Sequence, residues 1–399
     1  MAAVSPLTLP RRILMGPGPS DVDERVLRAM SLRTIGHLDP AFVATMDEVR
    51  SMLQQVLGTT YPLTLPMSGT GSAGMETCLV NLLEPDDTVL VGVNGVFGTR
   101  MCEVAKRCGA EVVAVEAPWG RAHSLDAFRT AAAGRSFRAL CLVQAETSTG
   151  VLQDLSGFSD LAAELGALLV VDAVTSLGGC SVDVEAQGID AVYSGTQKCL
   201  SCPPGLSPVS FSEAAVERIR SRIAPPQSWY LDLGLIARYW LGTEESGGTA
   251  RAYHHTAPIN AVYGLHEALR LVLEEGLEAR YARHRHHSAA LSAGLAALGL
   301  DLPVPPEERL PQLTLVQAPE GVDEAAVRRH LLKEFDLEIG GGLGALAGRA
   351  WRIGLMGSAC TRANVELCLT GLESGLRAQG WSPASCGIEA AIDHYEENR

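Results

Sequence analysis

Residues 167–176 read Ala-Leu-Leu-Val-Val-Asp-Ala-Val-Thr-Ser, and the fold is decided here. The run 167–171 is short and apolar throughout, without the alternation of a strand that has one wet face. It predicts a strand covered on both sides. The run ends on Asp172. A carboxylate in that position needs a partner, because burying an unpaired charge is costly. It can cap the following turn, or it can serve a ligand.

Similar runs lie on either side. Thr88–Val93, Glu111–Val115 and Ala139–Val143 are predicted strands, and Ala191–Tyr193 and Pro208–Phe211 are shorter candidates. Helical stretches at about 98–108, 124–133 and 155–165 separate them. Strands alternating with helices predict an α/β domain over 21–275, with a mostly parallel sheet between helices. Ligands in such sheets bind beyond the carboxyl ends of the strands.

Before this domain, residues 1–20 form an arm ending in Met15-Gly-Pro-Gly-Pro-Ser20, whose prolines and glycines exclude a helix. After it, 276–380 reads as a smaller C-terminal α+β domain. The pattern there is a long helix at about 277–298, strand 312–317, helix 322–335, a Gly-rich turn 340–344, strand 350–355 and helix 361–378. Residues 381–399 are expected to be a surface tail.

The composition narrows the function. A net charge of -14 argues against nucleic acid, which requires a basic face. No apolar run approaches the ~18 residues of a membrane span, and residues 1–12 lack the apolar core of a secretory signal. The ten cysteines form no paired framework, so a reducing compartment and a cytoplasmic location are expected. Cys199 and Cys202 make a lone C-x-x-C without a second pair, and no metal is expected.

Lysine usage is informative. Lys and Arg total 32, yet only Lys106, Lys198 and Lys333 are lysines. Lys106 and Lys333 sit among charged neighbours in helical patterns and read as solvated. Lys198 lies in Tyr193-Ser-Gly-Thr-Gln-Lys198, past a strand and a glycine turn. An amine can lose its proton and form a Schiff base, whereas guanidinium stays charged. An ordinary loop lysine is the plainer alternative.

Ser68-Gly-Thr-Gly-Ser72 precedes a helical stretch and can cradle a phosphate on backbone N–H groups, although Gly/Ser turns before helices are common. Taken together, a phosphate cradle, an aromatic residue after a strand, a strand-end Asp and a later lysine fit one cofactor, pyridoxal 5'-phosphate (PLP). A carboxylate beside its pyridine nitrogen keeps that nitrogen protonated.

At these residues the chain resembles the class V aminotransferases of the fold type I PLP enzymes. Within them it is similar to the alanine–glyoxylate, serine–glyoxylate and serine–pyruvate aminotransferases. The motifs are Gly16-Pro-Gly-Pro-Ser20, Ser68–Ser72, Asn94-Gly-Val-Phe-Gly98, Glu146-Thr-Ser-Thr-Gly-Val151, Val171-Asp-Ala-Val174, Ser194–Lys198, Tyr253-His-His-Thr256 and Arg352-Ile-Gly-Leu355.

The resemblance implies that Lys198 holds PLP as a Schiff base and shuttles the proton, and that Asp172 pairs with the pyridine nitrogen. It implies that Phe97 stacks on the ring where relatives often have Trp, and that Thr147 lies near the phenolic oxygen. Thr70, Gly71, Ser72 and Gln197 would hold the phosphate, Ser72 standing where relatives often have His. Tyr253 and Thr256 would reach the phosphate of the neighbouring subunit, which implies a homodimer with shared sites. Arg352 would clamp the substrate carboxylate, with Gly18 and Asn260 also at the substrate.

The implied reaction is ping-pong transamination, through pyridoxamine phosphate, between a small amino acid such as alanine or serine and glyoxylate or pyruvate. A ureidoglycine–glyoxylate aminotransferase is the runner-up. Asn260 suits that branch, but His37 stands where the branch has glutamine. A cysteine desulfurase and a non-catalytic nucleotide-binding α/β protein are the remaining alternatives. Phe97 argues against the first, and the missing dinucleotide fingerprint against the second. His254 and His255 read as packing residues, and Arg283–His287 as a solvated helix face.

Overall fold

The computed structural model describes residues 5–243 and 250–398. Its centre is a seven-stranded sheet. Across it the strands run Leu63–Ser68, Leu206–Phe211, Ala191–Tyr193, Leu168–Asp172, Ala139–Val143, Thr88–Val93 and Glu111–Glu116. Leu206–Phe211 is antiparallel to both of its neighbours, and the other pairings are parallel. The expected mostly parallel sheet is therefore found. The strand Leu63–Ser68, which the sequence reading did not name, closes one edge.

Leu168–Asp172 occupies the middle and is buried from Leu169 onward. Asp172 is its last residue, in register with Val143 on one side and Tyr193 on the other. The chain reverses its direction across the sheet between Thr88–Val93 and Ala139–Val143. The segments after those two strands, Asn94–Gly98 and Gln144–Thr147, therefore flank the switch-point crevice in which such sheets bind ligands.

The helices obey local rules. Pro40–Leu57 starts at Asp39, whose carboxylate accepts the Ala41 N–H at 2.8 Å, and Pro40 takes a first-turn position. It stops at Gly58, which adopts a left-handed φ of 66°. Phe42, Met46, Val49, Leu53 and Val56 recur at helical spacing and are buried against the sheet.

A second hydrophobic cluster belongs to the C-terminal part. An antiparallel sheet there has Ala350–Gly354 between Leu313–Gln317 and Gly340–Gly341. Helices Leu277–Ala297, Glu324–Glu334 and Arg362–Ala378 contribute buried residues to the same cluster. The arm joins it too: Ile13–Leu14 pairs in parallel with Leu337–Glu338, and Met15 is buried in the cluster.

Two expectations are corrected. The segment 381–399 is not a tail: Gly387–Glu397 is a helix that inserts Ala391 and Tyr395 into the core. The charged residues on its outer side masked that amphipathic spacing. Arg283–His287 is not a solvated face either. His284 is buried and its Nε2 accepts the Gly357 N–H at 3.0 Å, while Arg283 donates to the carbonyls of Gly357 and Cys360 at 3.0 and 2.6 Å. Polar loop carbonyls buried against this helix require polar partners from it.

Candidate active site

Lys198 follows the strand Ala191–Tyr193 and a turn. Its carbonyl is tied down by the Ser20 hydroxyl at 2.6 Å, and the Gln197 carbonyl accepts the Ser20 N–H at 2.8 Å. Lys198 as a whole is only 8% exposed, and its amine donates to the carbonyl of Pro17. Gly18 lies directly over it. A Cβ there would stand 2.6 Å from Lys198 Nζ, and φ is +106°. Only glycine satisfies both the backbone and the space. Burial lowers the amine pKa to about 8, with the Arg352 charge adding to the effect and Cys199 and Asp172 opposing it.

Asp172 is buried, with Oδ1 accepting the Val174 N–H and Oδ2 accepting the Tyr193 hydroxyl, both at 2.8 Å. Burial raises its pKa to about 6 despite these bonds. The carboxylate thus lacks a full cationic partner among the described residues, although Lys198 exerts a weak pull. The Tyr193 bond shows that it does more than cap a turn.

The helix Gly71–Leu82 opens the cradle. Thr70 stands at its N-cap without a side-chain cap bond. The N–H groups of Gly71 and Ser72 have no acceptor among the described residues. Gly71 packs closely, since a Cβ there would lie 3.1 Å from Val174 Cγ2 and that side chain would have to give. Gln197 Oε1 is buried without a hydrogen-bond partner among the described residues. Two open donors at a helix start suit an anionic group, and a buried carboxylate without a full cationic partner suits a cationic one.

Phe97 stands in the first turn of the helix Val96–Arg107, which begins earlier than the sequence suggested. Gly95 offers no side-chain cap, and Glu146 supplies one from the next loop. Its Oε2 accepts the N–H of Phe97 at 3.1 Å and of Gly98 at 3.4 Å. Its Oε1 accepts the Ser148 N–H at 3.0 Å and hydroxyl at 2.5 Å. Burial raises the Glu146 pKa while these bonds lower it.

Arg352 lies on the strand Ala350–Gly354 and is 7% exposed. Its Nε donates to Gly341 O at 2.8 Å and Nη1 to Thr147 O at 3.2 Å. It has no ion-pair partner among the described residues. Burial lowers its pKa to about 10, and Glu146 partly counters this. Thr147 joins the same cluster, its hydroxyl 2.6 Å from that of Thr175.

Other expected residues stand apart. Tyr253 is 63% exposed and Thr256 is exposed, but His255 between them links their segment to the cradle, with Nε2 2.7 Å from Ser68 Oγ. His254 stacks on Trp229 with centroids 4.1 Å apart, a packing role. The Asn260 amide is committed within the chain. It donates to Met30 O and Leu32 O at 2.8 Å, and its oxygen accepts the Thr34 hydroxyl at 2.5 Å. Cys199 and Cys202 are buried with thiols pushed up to about 12. No cluster of three metal-ligating side chains occurs among the described residues.

The sequence reading missed Glu146, Tyr193 and Arg100. Glu146 and Tyr193 stood inside recognised motifs, but their contacts are made with other segments. Arg100 places its guanidinium 4.8 Å from the Phe97 ring centroid, at the i+3 spacing the sequence does contain.

Residues 17–352 match the family described as Aminotransferase class-V. This chain belongs to the class-V aminotransferases. An alanine–glyoxylate aminotransferase of Callithrix jacchus is 42% identical over 377 residues, 94% of this chain and 90% of that one. The crystal structure of an alanine–glyoxylate aminotransferase from Nostoc sp. superposes with a TM-score of 0.91 at 48% identity, covering 94% of this chain and 98% of that one. That of a ureidoglycine–glyoxylate aminotransferase from Bacillus subtilis gives 0.93 at 40% identity, covering 98% and 99%. The fold type I architecture expected of class-V aminotransferases is thus the one adopted here.

Proposed function

We propose that this class-V aminotransferase is a PLP enzyme that moves an amino group between a small amino acid, alanine or serine, and glyoxylate or pyruvate. The observation that carries the reading is the buried amine of Lys198, roofed by Pro17 and Gly18 and accompanied by the buried carboxylate of Asp172. PLP, when bound, supplies an electron-accepting ring.

The chain's own residues do the rest. Lys198 holds the cofactor and then serves as the base at the substrate Cα, a task suited to an amine whose pKa lies near 8. Asp172 keeps the pyridine nitrogen protonated, and Tyr193 fixes its orientation. Thr70, Gly71, Ser72 and Gln197 take the phosphate, and Phe97 covers the ring. Arg352 binds the substrate carboxylate with a guanidinium that no carboxylate of the chain neutralises by direct contact among the described residues.

A homodimer completes this reading. Tyr253 lies 5.2 Å from His37, while Trp229 and Tyr230 adjoin His254 and His255. Trp229, Tyr230 and Tyr253 are all exposed, an aromatic face suited to a neighbouring subunit whose phosphate site Tyr253 and Thr256 would complete. Nine of the ten thiols are buried and unpaired, which fits a cytoplasmic setting. No described helix is long and apolar enough to cross a membrane.

Ureidoglycine is the second donor to consider, because of the likeness to the Bacillus subtilis enzyme. Against it, the Asn260 amide is already engaged by the segment 30–34. The deciding experiment is a visible-absorbance titration of the purified protein with alanine, serine and fresh ureidoglycine in turn, followed by glyoxylate. A band that a donor bleaches and glyoxylate restores identifies that donor. A protein that develops no band with added PLP rules the reading out.

A further inference from the structure

Arg100 lies one turn after Phe97 on the helix Val96–Arg107. Its guanidinium sits 4.8 Å from the Phe97 ring centroid, and Nη1 donates to Ser72 Oγ at 3.4 Å. Acidic residues outnumber basic ones in this chain, 46 to 32, yet Arg100 has no carboxylate partner among the described residues. Its contacts are an aromatic face and a hydroxyl at the start of the helix Gly71–Leu82. At that start, the N–H groups of Gly71 and Ser72 have no acceptor among the described residues, and the Thr70 side chain caps none of the helix N–H groups. A positive charge beside open donors is the usual composition of an oxyanion site. Ser72 is small, so the guanidinium can reach over it toward the helix end.

We propose that Arg100 is a phosphate-binding residue, which completes the cradle of Thr70, Gly71 and Ser72 with the charge that the cradle lacks. Its stacking on Phe97 fixes the guanidinium, so the residue covering the ring and the residue holding the phosphate are set by one contact. This deepens the PLP reading and rests on it.

The test compares PLP with pyridoxal, which has the same ring and aldehyde but no phosphate. Cofactor-free protein is titrated with each, read by quenching of tryptophan fluorescence and by visible absorbance. The set is the parent, Arg100→Ala, Arg100→Lys and Phe97→Leu. Arg100→Ala should weaken PLP about tenfold, the scale of one charge-assisted hydrogen bond, and leave pyridoxal unchanged. Arg100→Lys should retain part of the affinity, since charge survives without the fork. Phe97→Leu should weaken both ligands.

Equal losses of PLP and pyridoxal in Arg100→Ala would show that the arginine only supports Phe97, and the proposal fails. No loss of either also ends it. Failure of the parent to bind PLP at all overturns the cofactor reading itself, and that result is distinct from the other two.

Discussion

Tyr193 Oη donates to Asp172 Oδ2 at 2.8 Å, between residues that stand in register on adjacent parallel strands. The bond stabilises the ionised carboxylate against its burial. Tyr193→Phe removes it and raises the Asp172 pKa further. The acid limb of the kcat profile should therefore move to higher pH, and the rate at neutral pH should fall about tenfold, as expected for a lost bond to a charged group. A pH–rate profile of both proteins reads the shift, and superimposed profiles would contradict it.

Asp172 also predicts a pH-dependent benefit from the cofactor. Its folded pKa of about 6 exceeds the ordinary 3.8, so the native cofactor-free chain binds more protons between those values. Its contribution to stability is complete below about pH 4 and is lost as pH rises to about 6. A pyridinium beside the carboxylate offsets that loss. The rise in Tm on adding PLP should be larger at pH 7 than at pH 5, measured by thermal melts with and without cofactor.

Gly18→Ala places a methyl group against the Lys198 amine, in a backbone conformation that L residues avoid. The variant should lose about 1–3 kcal/mol of stability or displace the arm. In either case PLP loading by absorbance should drop while far-UV circular dichroism stays native.

Arg352→Lys keeps the charge but not the fork. kcat/KM for alanine should fall about a hundredfold, mostly through KM, because the paired hydrogen bonds to the carboxylate are lost. Steady-state kinetics with varied alanine separates the two constants.

Cys360 is fully buried in the C-terminal core, with its thiol pushed up to about 12. It is not placed to act as a nucleophile. Cys360→Ala should leave transamination unchanged and cost about 1 kcal/mol of stability from the small cavity. An inactive yet folded variant would revive the desulfurase alternative.

The placement of Asp172 and Lys198 just past the apolar runs 167–171 and 191–193 was legible in the sequence, as was the Gly/Ser turn before the helix Gly71–Leu82. The parallel strands were legible from the apolar runs themselves. What escaped were features made by segments distant in sequence. The cap on Phe97 comes from Glu146, 49 residues away, and no local pattern at Gly95 signals it. The edge strand Leu63–Ser68 contains Pro66, which reads as a break. The helix Gly387–Glu397 exposes so many charges that its buried Ala391 and Tyr395 are easily overlooked. Asn260 was assigned from likeness alone, and its amide turns out to be committed to the segment 30–34.

The arm strand Ile13–Leu14 has a consequence for synthesis. It pairs with Leu337–Glu338, so this early segment waits for a much later one before it can be placed. Until then Pro17 and Gly18 are held over the lysine only from one side, through the bonds of Ser20 to Gln197 and Lys198. The central sheet can form on the nascent chain, but the arm strand cannot pair, and a product truncated before residue 337 would carry the lysine under a roof held through Ser20 alone.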